Sequence, residues 1–189
     1  MPLTIPNVLT WLRIVLIPLF VAILYVPAEW LSEQAANVTA MAVFVGAAVT
    51  DWLDGYLARK LDQQSAFGAF LDPVADKLMV AAALIVLVEF DRLNAAVAFI
   101  IIGREIAISA LREWMAKVGD SKSVAVSFLG KLKTVAQMIA IPFLLYYNQL
   151  GGIDCRLVGT WLIYLAAVLT LWSMVYYLKI ALPRAQLNR

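Results

Sequence analysis

The sequence predicts an all-α, polytopic membrane protein, with six transmembrane helices around a cytoplasm-facing polar cavity. Three observations predict it. Of 189 residues, 63% are hydrophobic and 15% charged, with a mean hydropathy of +0.85, a balance too apolar for an ordinary soluble domain. Uncharged apolar windows recur along the chain with short connections and no internal repeat, so a single domain over residues 1–189 is expected. Finally, Asp51, Asp54, Asp72 and Asp76 fall between apolar segments of membrane length. Acidic side chains at that depth are costly and mark a functional site.

The first apolar window, Ile14 to Ala28, predicts a helix near 8–26, and Pro18 inside it is tolerable in a membrane bundle. Gln34 to Thr50 predicts a second near 35–60, where Gly46 among alanines is expected to permit close packing. Leu78 to Val88 and Leu93 to Gly103 are too short to span alone. Helices near 72–90 and 93–115 therefore span only by drawing Asp76 and Lys77, or Arg104 and Glu105, into the bundle. Thr134 to Ile153 and Leu157 to Leu178 reach the roughly 20 residues that a span requires, predicting helices near 124–147 and 155–181.

Basic residues set the orientation. Arg13, Arg59, Lys60, Lys77, Arg104, Arg112, Lys117, Lys122, Lys131, Lys133, Lys179, Arg184 and Arg189 fall at or toward one side, and Arg92 and Arg156 toward the other. The positive-inside rule then puts both termini and the carboxylates on the cytoplasmic face. Trp11, Trp30, Trp52, Trp114 and Trp161 lie near predicted helix ends, as interfacial anchors do. No signal-peptide pattern precedes the first apolar run.

Composition also excludes chemistry. One cysteine, Cys155, rules out an internal disulfide and a thiolate cluster, and the absence of histidine removes Ser-His, Cys-His and His-metal mechanisms. A general base must be a carboxylate, a lysine or a tyrosine. The net charge of +2 gives no argument for nucleic acid.

Asp51 and Asp54 are three residues apart, and Asp72 and Asp76 four apart, so each pair projects from one helix face. Four carboxylates without histidine or thiol make an all-oxygen site suited to a hard divalent cation, Mg²⁺ or Mn²⁺. A second constellation follows. Arg104 lies well inside the fourth helix, Arg112 at its inner end, and Lys131 and Lys133 open the fifth. Arg104 is either ion-paired, with Glu105 or a motif aspartate, or part of a pocket in which arginine forks, with Arg112 and Lys131, hold phosphate oxygens. Lys117, Lys122 and Lys133 suit anionic headgroups at the same face.

The spacing D-x2-D-G-x2-A-R-x8-G-x3-D-x3-D runs unbroken through Asp51, Asp54, Gly55, Ala58, Arg59, Gly68, Asp72 and Asp76. It resembles the signature of the CDP-alcohol phosphotransferases, integral membrane enzymes that join a CDP-linked donor to an alcohol. IPNVLTWLRIVLIP, REIAISALREWMAKVG, GKLKTVAQMIAI and TLWSMVYYL extend the likeness over essentially the whole chain, toward the bacterial phosphatidylglycerophosphate synthases within that family. The resemblance implies phosphatidyl transfer from CDP-diacylglycerol to sn-glycerol 3-phosphate with release of CMP, in the bacterial inner membrane. It implies two divalent metal ions on Asp51, Asp54, Asp72 and Asp76, with Asp76 as general base. Gly55, Arg59 and Gly68 would face the donor nucleotide and phosphates, and Arg104, Arg112 and Lys131 the acceptor phosphate. A homodimer among membrane lipids is also implied. Two other readings stay open: a sister transferase with another acceptor, such as inositol phosphate, serine or phosphatidylglycerol, and a cation transporter using intramembrane aspartates.

Overall fold

The computed structural model describes residues 5–60, 66–117 and 128–187, with side chains described at 8–51, 53, 60, 68, 70–115 and 132–179. Six helices carry nearly all of it: α1 (Ile5–Leu24), α2 (Glu33–Lys60), α3 (Ala66–Glu89), α4 (Ala95–Lys117), α5 (Phe128–Tyr146) and α6 (Cys155–Leu187). The all-α expectation is met. A two-stranded antiparallel ribbon, β1 (Gln149–Leu150) and β2 (Ile153–Asp154), joins α5 to α6. Gly151 and Gly152 turn it with φ of 57° and 87°, the doubly positive conformation that a two-residue hairpin demands and that glycine adopts without penalty.

Helix starts at that end follow capping chemistry. Ser32 Oγ accepts from Ala35 N–H, Asn94 Oδ1 from Ala96 N–H, and Asp154 Oδ1 from Leu157 N–H, each satisfying an amide that the helix leaves unpartnered. α3 ends with Asp91 in the left-handed region at φ 54°. Its N–H donates to Val88 O, and Arg92 N–H donates to Leu87 O, the paired bonds of a Schellman stop.

Each helix turns one stripe inward at helical spacing: Ala40, Phe44 and Ala47 on α2, Met79, Ala83, Leu84 and Leu87 on α3, Ala140, Ile141, Leu144 and Leu145 on α5, and Ile163 and Ala167 on α6. α6 approaches α5 closely at Gly159, where a Cβ would stand 2.8 Å from Leu144 Cγ and 3.1 Å from its backbone nitrogen. Gly46, expected to serve such packing, is exposed, and a Cβ built on it meets nothing within 4 Å. The small residues that admit neighbours to α2 are instead the buried Ala40 and Ala47, six residues before Gly46 and one after, which helical geometry turns about 100 to 120° away from it.

The surface is inverted relative to a water-soluble protein. Val15, Ile85, Phe99, Ile106, Trp161, Val168 and Trp172 face outward, all at 60% exposure or more, while Arg13, Arg104, Lys133, Asn37, Thr170 and Ser173 are buried. Large exposed apolar side chains together with buried polar ones are the informative departure from the usual distribution. Among the described residues, Cys155–Lys179 is long and apolar enough to cross a membrane; Val8–Leu24 and Leu132–Tyr146 are shorter apolar stretches.

One difference from the predicted elements affects the site. The sequence predicts a helix from near 72, yet α3 begins at Ala66 and continues through Pro73, as α1 does through Pro18 and α5 through Pro142. Asp72 is therefore within a helix. Cys155, with which the last predicted helix begins, is the first residue of α6 and is buried, at 1% exposure.

Candidate active site

Thr10 and Arg13 lie one turn apart on the inward stripe of α1, which continues to Phe20. Each holds a motif carboxylate from a different helix. Arg13 Nη1 donates to Asp51 Oδ1 of α2 at 2.7 Å, and Thr10 Oγ1 donates to Asp72 Oδ1 of α3 at 2.5 Å. The first helix thereby aligns the acidic ends of the next two. The Arg13 side chain is 1% exposed and that of Asp51 is 42% exposed, so the carboxylate keeps an open side.

That open side meets a cavity of about 380 Å³, bordered by Asp51 from α2, Asp76 and Lys77 from α3, Glu105 from α4, and Thr134 and Gln137 from α5. The rest of its wall is apolar, including Val74, Leu78, Ile102 and Ile106, of which Val74, Leu78 and Ile106 also reach the outer surface. The space thus has charged groups at one part of its wall and an apolar rim facing outward. A smaller space beside Arg13, Phe44 and Met138 also borders Asp76.

Asp51 and Asp76 share this cavity, while Asp72, one turn before Asp76, is turned toward Thr10. Asp54, Gly55 and Arg59 fall in the last turns of α2 and Lys131 in the first turn of α5; their side-chain positions lie outside the described residues. Gly68 is buried near the start of α3, and Arg112 is exposed. Among the described residues, no three His, Cys, Asp or Glu make a metal-binding group. The donor chemistry nonetheless fits a hard divalent cation, since Asp51 and Asp76 present carboxylate oxygens from two helices to one cavity.

Arg104 makes an ion pair and a link to α6. Its Nη1 donates to Glu105 Oε1 at 3.3 Å and its Nη2 to Ser173 Oγ of α6 at 3.1 Å, with the guanidinium carbon 5.8 Å from the Tyr177 ring centroid. It does not border the large cavity. Lys133, read from sequence as a headgroup contact, is buried, and its Nζ donates to the same Glu105 Oε1. Helical spacing carried that signal: Lys133 is three and four residues before Ala136 and Gln137, which begin the buried stripe through Ala140 and Leu144. Ser173 and Tyr177 enter the sequence reading only as part of TLWSMVYYL, with no role of their own, although they continue the inward stripe of Ile163, Ala166 and Thr170.

At the far end of the bundle Arg92 makes a second polar cluster. Its Nη1 donates to Asn37 Oδ1 at 2.9 Å and to Leu145 O at 3.0 Å, its Nη2 to Glu33 Oε1 at 3.4 Å, and the guanidinium lies 4.6 Å from the Tyr147 ring centroid. Burial lowers its proton affinity and Glu33 opposes that change. The pairing of Arg92 with Glu33 places both at the end opposite the motif, as the alternation of helices predicts.

A model of the CDP-alcohol phosphatidyltransferase family matches residues 3–172. The chain is 49% identical to the CDP-diacylglycerol--glycerol-3-phosphate 3-phosphatidyltransferase of Shigella flexneri, 50% to that of Haemophilus influenzae and 48% to that of Escherichia coli. These similarities cover 96% of this chain in each case, and 96%, 95% and 96% of the respective relatives.

Proposed function

The chain belongs to the CDP-alcohol phosphatidyltransferase family, and from that premise we propose that it transfers the phosphatidyl group of CDP-diacylglycerol to sn-glycerol 3-phosphate, giving phosphatidylglycerophosphate and CMP. The observation that carries the reading is the joint placement of Asp51 and Asp76 on one cavity with an apolar, outward-reaching rim. A donor with acyl chains and a charged nucleotide needs both kinds of wall.

In this reading Asp76 takes the proton of the acceptor hydroxyl as its oxygen attacks the β-phosphorus of the donor, and CMP departs. Reach comes before basicity for such a group, and Asp76 borders the cavity where the acceptor would lie. Asp51, Asp54, Asp72 and Asp76 would hold divalent metal, Mg²⁺ or Mn²⁺ and two ions in the full proposal. Bound there, metal would neutralise the donor pyrophosphate and the charge developing on CMP. Arg13 and Thr10 orient Asp51 and Asp72 for that purpose. Gly55 and Gly68 allow close approach of the nucleotide, and Arg59 pairs with donor phosphate. The acceptor phosphate lies toward the basic α4–α5 side, with Arg104, Arg112 and Lys131.

Six membrane-spanning helices, both termini and the site on the cytoplasmic face of the bacterial inner membrane, and a homodimer complete the proposal. The inverted surface and the buried cations support the membrane placement. The family resemblance supports the dimer, which crosslinking in native membranes tests.

One assay decides the activity. Purified protein is given CDP-diacylglycerol, Mg²⁺ and a panel of acceptors, and both CMP and lipid product are measured. Phosphatidylglycerophosphate formed only with sn-glycerol 3-phosphate supports the reading. Turnover with inositol phosphate or serine instead identifies a sister transferase, and ion flux without CMP release a transporter. Arg104→Lys keeps the charge but loses the planar fork, so if Arg104 holds the acceptor phosphate the acceptor KM rises, by up to about 10- to 150-fold. A ratio of glycerol 3-phosphate to glycerol use unchanged in Arg104→Ala would assign Arg104 to its ion pair alone.

A further inference from the structure

Glu105 stands between the cavity and two buried cations. Its carboxylate borders the cavity, and its Oε1 accepts from Lys133 Nζ of α5 and from Arg104 Nη1. Both cationic side chains are only 3% exposed, and neither borders the cavity itself, although Thr134 and Gln137, the near neighbours of Lys133 on α5, do. Arg112 lies two turns farther along α4 and is exposed. An anion entering the cavity therefore meets Lys77 and the carboxylates of Asp51, Asp76 and Glu105 at the wall, with Arg104 and Lys133 behind Glu105.

The two cations are not equally free. Arg104 is tethered to α6 by Ser173 and lies against Tyr177, whereas Lys133 has a flexible four-carbon stem and a compact ammonium that can change partners. A phosphate approaching Glu105 is repelled by it and attracted by what it covers.

We propose that Glu105 is a built-in counter-ion that sets how tightly the cavity takes the acceptor's phosphate, by occupying Lys133 until phosphate displaces it. Glu105 is thus a specificity-determining residue for phosphorylated acceptors. Weak anions fail to displace the carboxylate, and a phosphate with two negative charges succeeds. The inference rests on the transferase reading above, and the same phosphate chemistry could be offered by acceptor or donor, so the test varies each in turn.

The full chain in detergent with Mg²⁺ is assayed by CMP release, varying sn-glycerol 3-phosphate at saturating CDP-diacylglycerol and the reverse, with inorganic phosphate as a competing anion. Glu105→Gln removes the charge and keeps the shape. The acceptor KM and the inhibition constant for phosphate should both fall, by about 3- to 30-fold for loss of one like charge near the bound anion, while the donor KM stays within about twofold. Lys133→Gln should weaken acceptor binding more in the Glu105→Gln background than alone, because Glu105 no longer occupies the ammonium. Glu105→Asp, with its shorter reach, should shift the acceptor KM in the same direction and less far.

An acceptor KM that rises or stays put in Glu105→Gln overturns the proposal. So does a fall in donor KM in place of acceptor KM, which would assign the screened phosphate to the donor. If both Glu105 variants fail to fold by thermal melting, the carboxylate is a structural counter-ion and the proposal also fails. Failure of the transferase reading is separate, since it appears in the wild-type protein as absent CMP release with sn-glycerol 3-phosphate.

Discussion

Arg13 and Asp51 share a 2.7 Å ion pair across α1 and α2 in which the cation is almost wholly buried and the carboxylate nearly half exposed. The asymmetry gives the pair two functions. Its buried half fixes the position of α1 against α2, and its open half is presented to the cavity that Asp76 also borders. A motif carboxylate is thereby oriented by a residue 38 positions away.

The asymmetry predicts unequal costs. Asp51→Ala takes from a buried guanidinium its 2.7 Å partner, whereas Arg13→Met leaves a carboxylate that water can reach. Thermal melting in detergent should therefore fall further for Asp51→Ala, since a close bond lost to a buried charge costs more than one lost to a carboxylate that water can reach. A larger loss for Arg13→Met would show that packing of the long side chain outweighs the charge.

Asp76→Asn should fold and bind donor and metal, with turnover reduced by at least about 100-fold, as expected for a lost general base. Volume is unchanged, so the deficit belongs to the chemical step, read as single-turnover CMP release. Near-normal release would take the proton-accepting role from Asp76. Asp51→Asn, Asp54→Asn and Asp72→Asn should in addition shift the Mg²⁺ midpoint, and three unchanged midpoints would contradict their assignment as ligands.

Much of this arrangement was legible in the sequence. Six helices follow from apolar windows, and the four aspartates from their spacing between them. The partners of those aspartates were less legible, because hydrophobic windows record where a helix is and not which face it turns inward. Arg13 and Lys133 lie on inward stripes that emerge only when residues are followed at three- and four-residue steps through polar positions as well as apolar ones. Gly46 illustrates the converse: a small residue signals close packing only when its face meets a neighbour, which composition does not tell. Glu105 is one possible partner of Arg104 in the sequence, but its sharing between Arg104 and Lys133 depends on side chains reaching across from α4 to α5.

At Gly159 even one added methyl group is too many. Gly159→Ala would place its Cβ against both the side chain and the backbone of Leu144, so α5 and α6 must separate, at a cost of about 1 to 3 kcal/mol for overpacking. Leu144→Ala should rescue Gly159→Ala only in part, because the backbone contact remains. Full rescue, or no change in melting temperature for Gly159→Ala itself, would contradict the close approach.

Topology is open to thiol labelling, but not through the native cysteine. Cys155 is buried, so a reagent that cannot cross the inner membrane should leave it unmodified in intact cells. In a Cys155→Ser background, Arg156→Cys should be labelled from outside, because Arg156 is exposed at the end opposite the motif. Lys60→Cys, exposed at the motif end, should be reached only once the membrane is opened. The reverse pattern would invert the proposed orientation.

The Arg92 cluster makes the far end of the bundle a fulcrum. It joins the start of α2, the end of α3 and the end of α5 through Glu33, Asn37 and Leu145, and the glycine-turned ribbon ties α5 to α6 just beyond. Lys133 lies twelve residues from Leu145 along α5, a lever arm of about 18 Å. A tilt of roughly 5° about the clamp therefore moves the α5 backbone near Lys133 by about 1.5 Å, enough to make or break a hydrogen bond, while Leu145 barely shifts. A helix pivoting there would move most at its charged end, beside Glu105 and Lys133, and least at its clamped one.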